Sequence, residues 1–155
     1  MKSEAAGLLE PAGVNLEWRL LEANTGHESS HRPVVVRFTG TCASGTGMDA
    51  PPTQHNGTTI LGTTAVVSGA VLPYSEVKCD AVRQFLPENQ LPGNRHDRDL
   101  VLGKALGRIL AHELYHALLR TKHHAHAVVA GAVQTPTDLR RDTLAFSPAD
   151  FANLK

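Results

Sequence analysis

The stretch "HELYH", residues 112–116, sets two histidines four positions apart with a glutamate directly after the first. On a helix, residues four apart are offset by only about 40° around the axis and roughly 6 Å along it, so His112 and His116 address one point in space. Two imidazoles at that separation can each give a nitrogen lone pair to one cation, and zinc accepts imidazole readily. Glu113 is turned about 100° from His112 and about 60° from His116, which puts its carboxylate beside such a site without making it a ligand. That is where a general base belongs. Zinc lowers the pKa of its water to about 7, and the carboxylate takes the proton as the oxygen attacks a carbonyl, then returns it to the leaving amine. Glu113 is therefore the expected catalytic residue, and His112 and His116 are expected metal ligands.

A chain with nine histidines can generate this pattern by accident, so its placement matters more than its letters. It falls inside the longest helix-periodic segment: in residues 100–120, Leu102, Leu106, Ile109, Leu110, Ala117 and Leu118 recur at helical spacing, with Asp97 or Asp99 as the expected cap. Upstream, residues 3–13 read as a short helix capped by Ser3 and ended near Pro11. Residues 14–22 alternate Val14, Leu16, Trp18 and Leu20 with polar neighbours, the period of a strand. A polar connection (24–33) leads to a strand at 34–40, and a long loop then runs to Gly57. Strands follow at 58–69 and 71–79, with Ser68 and Gly69 as the turn between them. Residues 80–86 read as a short helix and 87–97 as a break before the main one. After it come a loop and one or two short helices, with Thr135 or Thr137 and then Ser147 as caps. Strands followed by the helix that covers them predict an α+β fold: a small mixed sheet packed on a long active-site helix, with short C-terminal helices, in one domain spanning 1–155.

The formal net charge is zero, from 15 basic and 15 acidic side chains. No strong field is available to attract nucleic acid, and none is expected as a partner. The local basic runs in "RPVVVRF" and "DLRRD" read as solvated faces. The longest apolar-leaning stretch, "ILGTTAVVSGAVLPY", is interrupted by Thr, Ser and Gly and too short to span a bilayer, so no membrane-spanning segment is expected. The start, "MKSEAAGLLEP", lacks the apolar core of a secretory signal, which leaves the chain either intracellular or a mature fragment whose leader has been removed. Cys42 and Cys79 either pair in an oxidising compartment or stay as buried thiols in a reducing one.

The motif resembles the signature of the zincin metallopeptidases, and the order of strands then helix is similar to their N-terminal subdomain. The resemblance is specific over about twenty residues and architectural elsewhere. It implies a zinc-dependent hydrolase that cuts peptide bonds, with a peptide or protein as substrate and a third zinc ligand downstream. No glutamate follows Glu113, which removes the branch whose third ligand is a glutamate. The metzincin branch places its third histidine ten residues after the first, with a glycine at the seventh; here those positions are Lys122 and Leu119. His123 and His124 come one and two places later. The run "HELYHALLRTKHH" looks like small bacterial zincins with a late third histidine, which makes His124 the expected third ligand, ahead of His123, His126 and Asp138. Metzincins also set a methionine turn beneath the metal. The only methionines here are Met1 and Met48, so "AVVAGAV" (127–133), with Val128, Val129 and Ala130, is the expected replacement wall.

Other residues carry weaker expectations. Tyr115 points away from the site and is expected to pack. An oxyanion stabiliser is sought among His126, Tyr74 and a backbone N–H. The strand at 59–67 is a candidate edge for an extended substrate. His27, His31, His55 and His96 read as surface. Two rival readings share the sequence: a zincin-fold module that keeps zinc but not activity and serves protein interaction, and an interaction domain with incidental histidines.

Overall fold

The long helix starts at Asn94, whose side-chain oxygen accepts the Asp97 amide at 2.9 Å while its side-chain nitrogen donates to the Asp97 carboxylate at 2.7 Å. This satisfies a donor that a helix start leaves open and places an acid in the first turn. From there α3 runs Arg95–Leu119. The expected caps, Asp97 and Asp99, therefore lie inside the helix. Its first turns are exposed and carry no apolar period, so periodicity alone could not register them. Asp99 instead accepts the Ser44 amide at 2.6 Å. His96, expected in a loop, is an exposed residue of this first turn.

The structure, a computed structural model, describes residues 1–23, 32–45, 54–55, 58–86, 91–124, 135–142 and 144–152. Among these the architecture is α+β, with a small three-stranded sheet, the long helix and short helical turns. Every residue of α3 from Ala105 to Ala117 is buried, so the helix is wrapped on all sides rather than laid on a surface. Helix α1 (Lys2–Leu9) covers one side. The two helices come so close that a Cβ on Gly107 would lie 2.6 Å from the Met1 carbonyl oxygen and the Glu4 Cβ. Ser3, expected as the cap, sits within α1; Met1 holds the cap position. The helix tightens into a 3-10 turn at Glu10–Ala12 and ends at Gly13, φ 78°.

Residues 14–22 correct the expected first strand. Val14, Leu16 and Trp18 do alternate inward and pack on the core, but the segment pairs with no described strand, and Leu21–Ala23 turn as a 3-10 helix. Period-two burial requires only an extended chain lying on a core, whereas a strand also requires a neighbouring backbone.

The sheet sets Val35–Thr39 (β1) beside Ala70–Lys78 (β5), and β5 beside Gly62–Val67 (β4). Strand β1 runs parallel to β5, which runs antiparallel to β4. Ser68 and Gly69 join β4 to β5 with φ of 49° and 85°, the paired left-handed residues that a two-residue hairpin needs to match strand twist. The expected strand at 58–69 is divided. Thr58–Thr59 (β3) pairs with Gln54–His55 (β2), and only from Gly62 does the chain pair with β5. A single strand was expected because both pieces share one β-rich run, yet they serve different ladders.

Helix α2 (Cys79–Phe85) follows β5 directly. Cys42 and Cys79 form a disulfide, with Cα atoms 4.8 Å apart. Beyond α3, the expected C-terminal helices are 3-10 turns, Asp138–Arg140 and Pro148–Phe151. Ser147 opens the second as a capping box, its amide donating to Asp150 at 2.6 Å. At the first, the Thr135 hydroxyl accepts the Asp138 amide at 3.1 Å, while Thr137 makes no side-chain cap. Among the described residues no helix is long and apolar enough to cross a membrane.

Candidate metal centre

His112 and His116 are 9 % and 7 % exposed, and their Nε2 atoms lie 3.1 Å apart. Two nitrogens each about 2.0–2.1 Å from one zinc ion, at an angle near tetrahedral, stand roughly 3.1–3.4 Å apart, so the pair already has the spacing of two ligands. His124 completes the group: one ligand atom from each of His112, His116 and His124 falls within 4.8 Å of the others. Its ring stacks beside His112 at 5.3 Å between centroids and meets His116 edge-on at 4.7 Å.

The turn that brings His124 back is built by Arg120, which leaves the helix in the left-handed conformation, φ 51°. The Arg120 amide donates to the His116 carbonyl, and the Thr121 amide does so at 3.1 Å. The reversal aims the Thr121 carbonyl at His116 Nδ1, 2.8 Å away. A carbonyl only accepts, so Nδ1 carries the proton and Nε2 presents its lone pair to the cluster. Burial lowers the His116 pKa, outweighing the upward pull of the Thr121 carbonyl, and His124 lowers it further. Burial also lowers the His124 pKa. Both shifts favour the neutral imidazole, the form that binds metal. A left-handed arginine costs about 1–2 kcal/mol that a glycine avoids. Arg120→Gly is therefore expected to raise the thermal midpoint by about 2–4 °C, the shift of about 1 kcal/mol in a chain of this size. A melting curve no higher than wild type would refute the strain.

Glu113 is 5 % exposed and lies outside the three-histidine group. Its Oε2 accepts the Thr64 hydroxyl at 2.7 Å. Burial pushes its pKa up to about 7, the Thr64 hydrogen bond pulling the other way. Room for this side chain comes from Gly62, where a Cβ would stand 2.8 Å from Oε1. Gly62 and Thr64 lie two apart on β4, hence on one face, and Ser75 is the cross-strand partner of Thr64. None of these three was singled out in the sequence. The signal was a glycine and a threonine at alternate positions of an apolar strand, on the face that has to meet the helix.

Two of the alternative third ligands, His123 and Asp138, go elsewhere. His123 is exposed and is not in the group; its amide donates to the Thr121 hydroxyl at 3.1 Å. The Asp138 carboxylate accepts the Thr135 hydroxyl at 2.6 Å and pairs with Arg141 at 3.3 Å. Tyr74 is excluded as an oxyanion stabiliser for the Glu113 side of α3, since its neighbour Ser75 faces that helix and adjacent strand residues point to opposite faces. Tyr115 packs, stacked on Phe146 at 5.7 Å and edge-on to Phe151. His126, His27, His31 and the wall at 127–133 lie outside the described residues. Compared with protein-family models, curated proteins and solved structures, the chain matches none.

Proposed function

We propose that the chain is a zinc metallopeptidase in which His112, His116 and His124 hold the metal and Glu113 is the general base. The observation that carries this reading is the convergence of three ligand nitrogens within 4.8 Å, with Glu113, the residue after His112 on the same helix, buried and outside that group. Three histidines suit zinc and leave a coordination position over, the donor set of catalytic rather than closed structural sites. When bound, zinc supplies Lewis acidity, which brings the ionisation of water towards neutral pH. Glu113 accepts the proton of the attacking water and delivers it to the departing amine, work suited to a carboxyl whose pKa lies near 7. Strand β4 is an outer strand of the three-stranded sheet and carries Gly62 and Thr64 against Glu113. An extended peptide pairing along its outer edge would lie beside the base.

The near-complete burial of Glu113 favours a second reading, a zinc-binding module with a closed cleft. Metal analysis with a cleavage assay tests the first. Wild type and His123→Ala are expected to carry about one zinc per chain, with His124→Ala substoichiometric, and cleavage of a flexible peptide library should follow zinc content. Equal zinc in both variants, or no zinc in wild type, would overturn the assignment.

A further inference from the structure

We propose that Thr64, backed by Ser75, is a positioning residue that holds the Glu113 carboxylate beside the three-histidine group and keeps it from joining that group. The inference rests on the reading above, in that it assigns how the base is kept a base.

A glutamate next to a cation site has three rotatable bonds and a strong electrostatic reason to turn inward and ligate. Something has to hold it. Thr64 Oγ1 stands 2.7 Å from Glu113 Oε2, 3.0 Å from the Glu113 carbonyl oxygen and 3.0 Å from Ser75 Oγ. Each hydroxyl has a single proton. The Thr64 proton goes to the carboxylate, the shortest and most strongly accepting of its neighbours, and the Ser75 hydroxyl donates to Thr64 Oγ1 in turn. The result is a two-hydroxyl chain ending on Oε2.

Three further features point the same way. Ser75 is fully buried, and its remaining acceptor, the Glu113 carbonyl, is 3.5 Å away, so its hydroxyl has Thr64 as its main partner. The ladder between β4 and β5 is irregular directly after Thr64, the kind of local shift that re-aims a side chain. Gly62 closes the other side, bringing backbone against Oε1. The carboxylate is thus gripped at one oxygen by a hydroxyl and walled at the other by a residue without a side chain. A valine would fill the Thr64 position with the same shape, so packing gives no reason for a hydroxyl there.

The test uses cobalt(II) in place of zinc in the purified full chain, because the visible bands of bound cobalt move when a carboxylate replaces water among its ligands. In Thr64→Val the freed carboxylate is expected to take the position that the three histidines leave open, shifting the visible bands and tightening cobalt binding by about ten-fold. Thr64→Ser should restore the wild-type spectrum. Thr64→Val combined with Glu113→Gln should also restore it, since the ligating carboxylate is then gone. Thr64→Ala is read in the same way and stands in should the valine variant fail to fold. A wild-type spectrum in both Thr64→Val and Thr64→Ala, with cobalt bound, overturns the positioning role alone. Failure of the wild-type chain to bind one cobalt overturns the metal site itself.

Discussion

Glu113→Gln is expected to lower peptide hydrolysis by about 10²–10⁴-fold, the usual contribution of a positioned general base, while zinc content stays at the wild-type level. That loss corresponds to roughly 3–5 kcal/mol of transition-state stabilisation. Zinc content is preserved because Glu113 is not in the group of ligand atoms. Folding is preserved because glutamine has the same shape, fits against Gly62 and still accepts the Thr64 hydroxyl. In the metal-free protein the substitution should also change stability with pH. Burial raises the Glu113 pKa from 4.5 to about 7, so the folded chain holds its proton more tightly than the unfolded one and loses stability as pH rises through that window. The glutamine variant should lack this decline. Hydrolysis and zinc measured on the same preparation decide between an enzyme and a zinc-binding module. Cleavage undiminished by the change would remove Glu113 from the chemistry, whereas an absence of cleavage in zinc-loaded wild type would favour the module.

Replacing Arg108 with alanine is expected to cost about 3 kcal/mol of stability, lowering the thermal midpoint by roughly 6–12 °C. Its side chain is 1 % exposed and reaches three places at once. Nε donates to Glu4 of α1 at 2.8 Å, Nη1 to the Asp138 carbonyl at 2.8 Å, and Nη2 to the Arg141 carbonyl. Alanine leaves two carbonyls and a partly shielded carboxylate without donors and opens a cavity in the core. The partial exposure of Glu4, 27 %, places the estimate at the lower end for a broken buried pair. Arg108→Met fills the volume and should lose less. Thermal melts monitored by circular dichroism check both, and a shift below about 2 °C for the alanine variant would show that the three bonds contribute little.

What Arg108 does could not be read from residues 100–120. In the helical pattern it falls on a polar position, the kind normally given to solvent. It is buried because α1 and the 138–141 turn close over that side of α3, and neither packing partner is encoded near it in the chain. The same reason explains why residues 14–22, expected as a strand, are not one. Alternation records which side chains turn inward, but it carries no information on whether another backbone runs alongside.

The three-histidine group divides along the same line. A helical periodicity together with the spacing of His112, Glu113 and His116 follows from local geometry, so sequence alone determined that two imidazoles share a face with a carboxylate beside them. The small sheet and the long helix were legible for the same reason, each having its own period. The third member of the group was narrowed to three histidines and Asp138 by sequence and resemblance, and the tertiary structure drew in His124 because Arg120 reverses the chain and the Thr121 carbonyl fastens His116. Only the tertiary structure decided the surroundings of Glu113. Thr64 lies 49 residues from it in the chain, and contacts of that separation come from packing a strand on a helix, which no local period encodes.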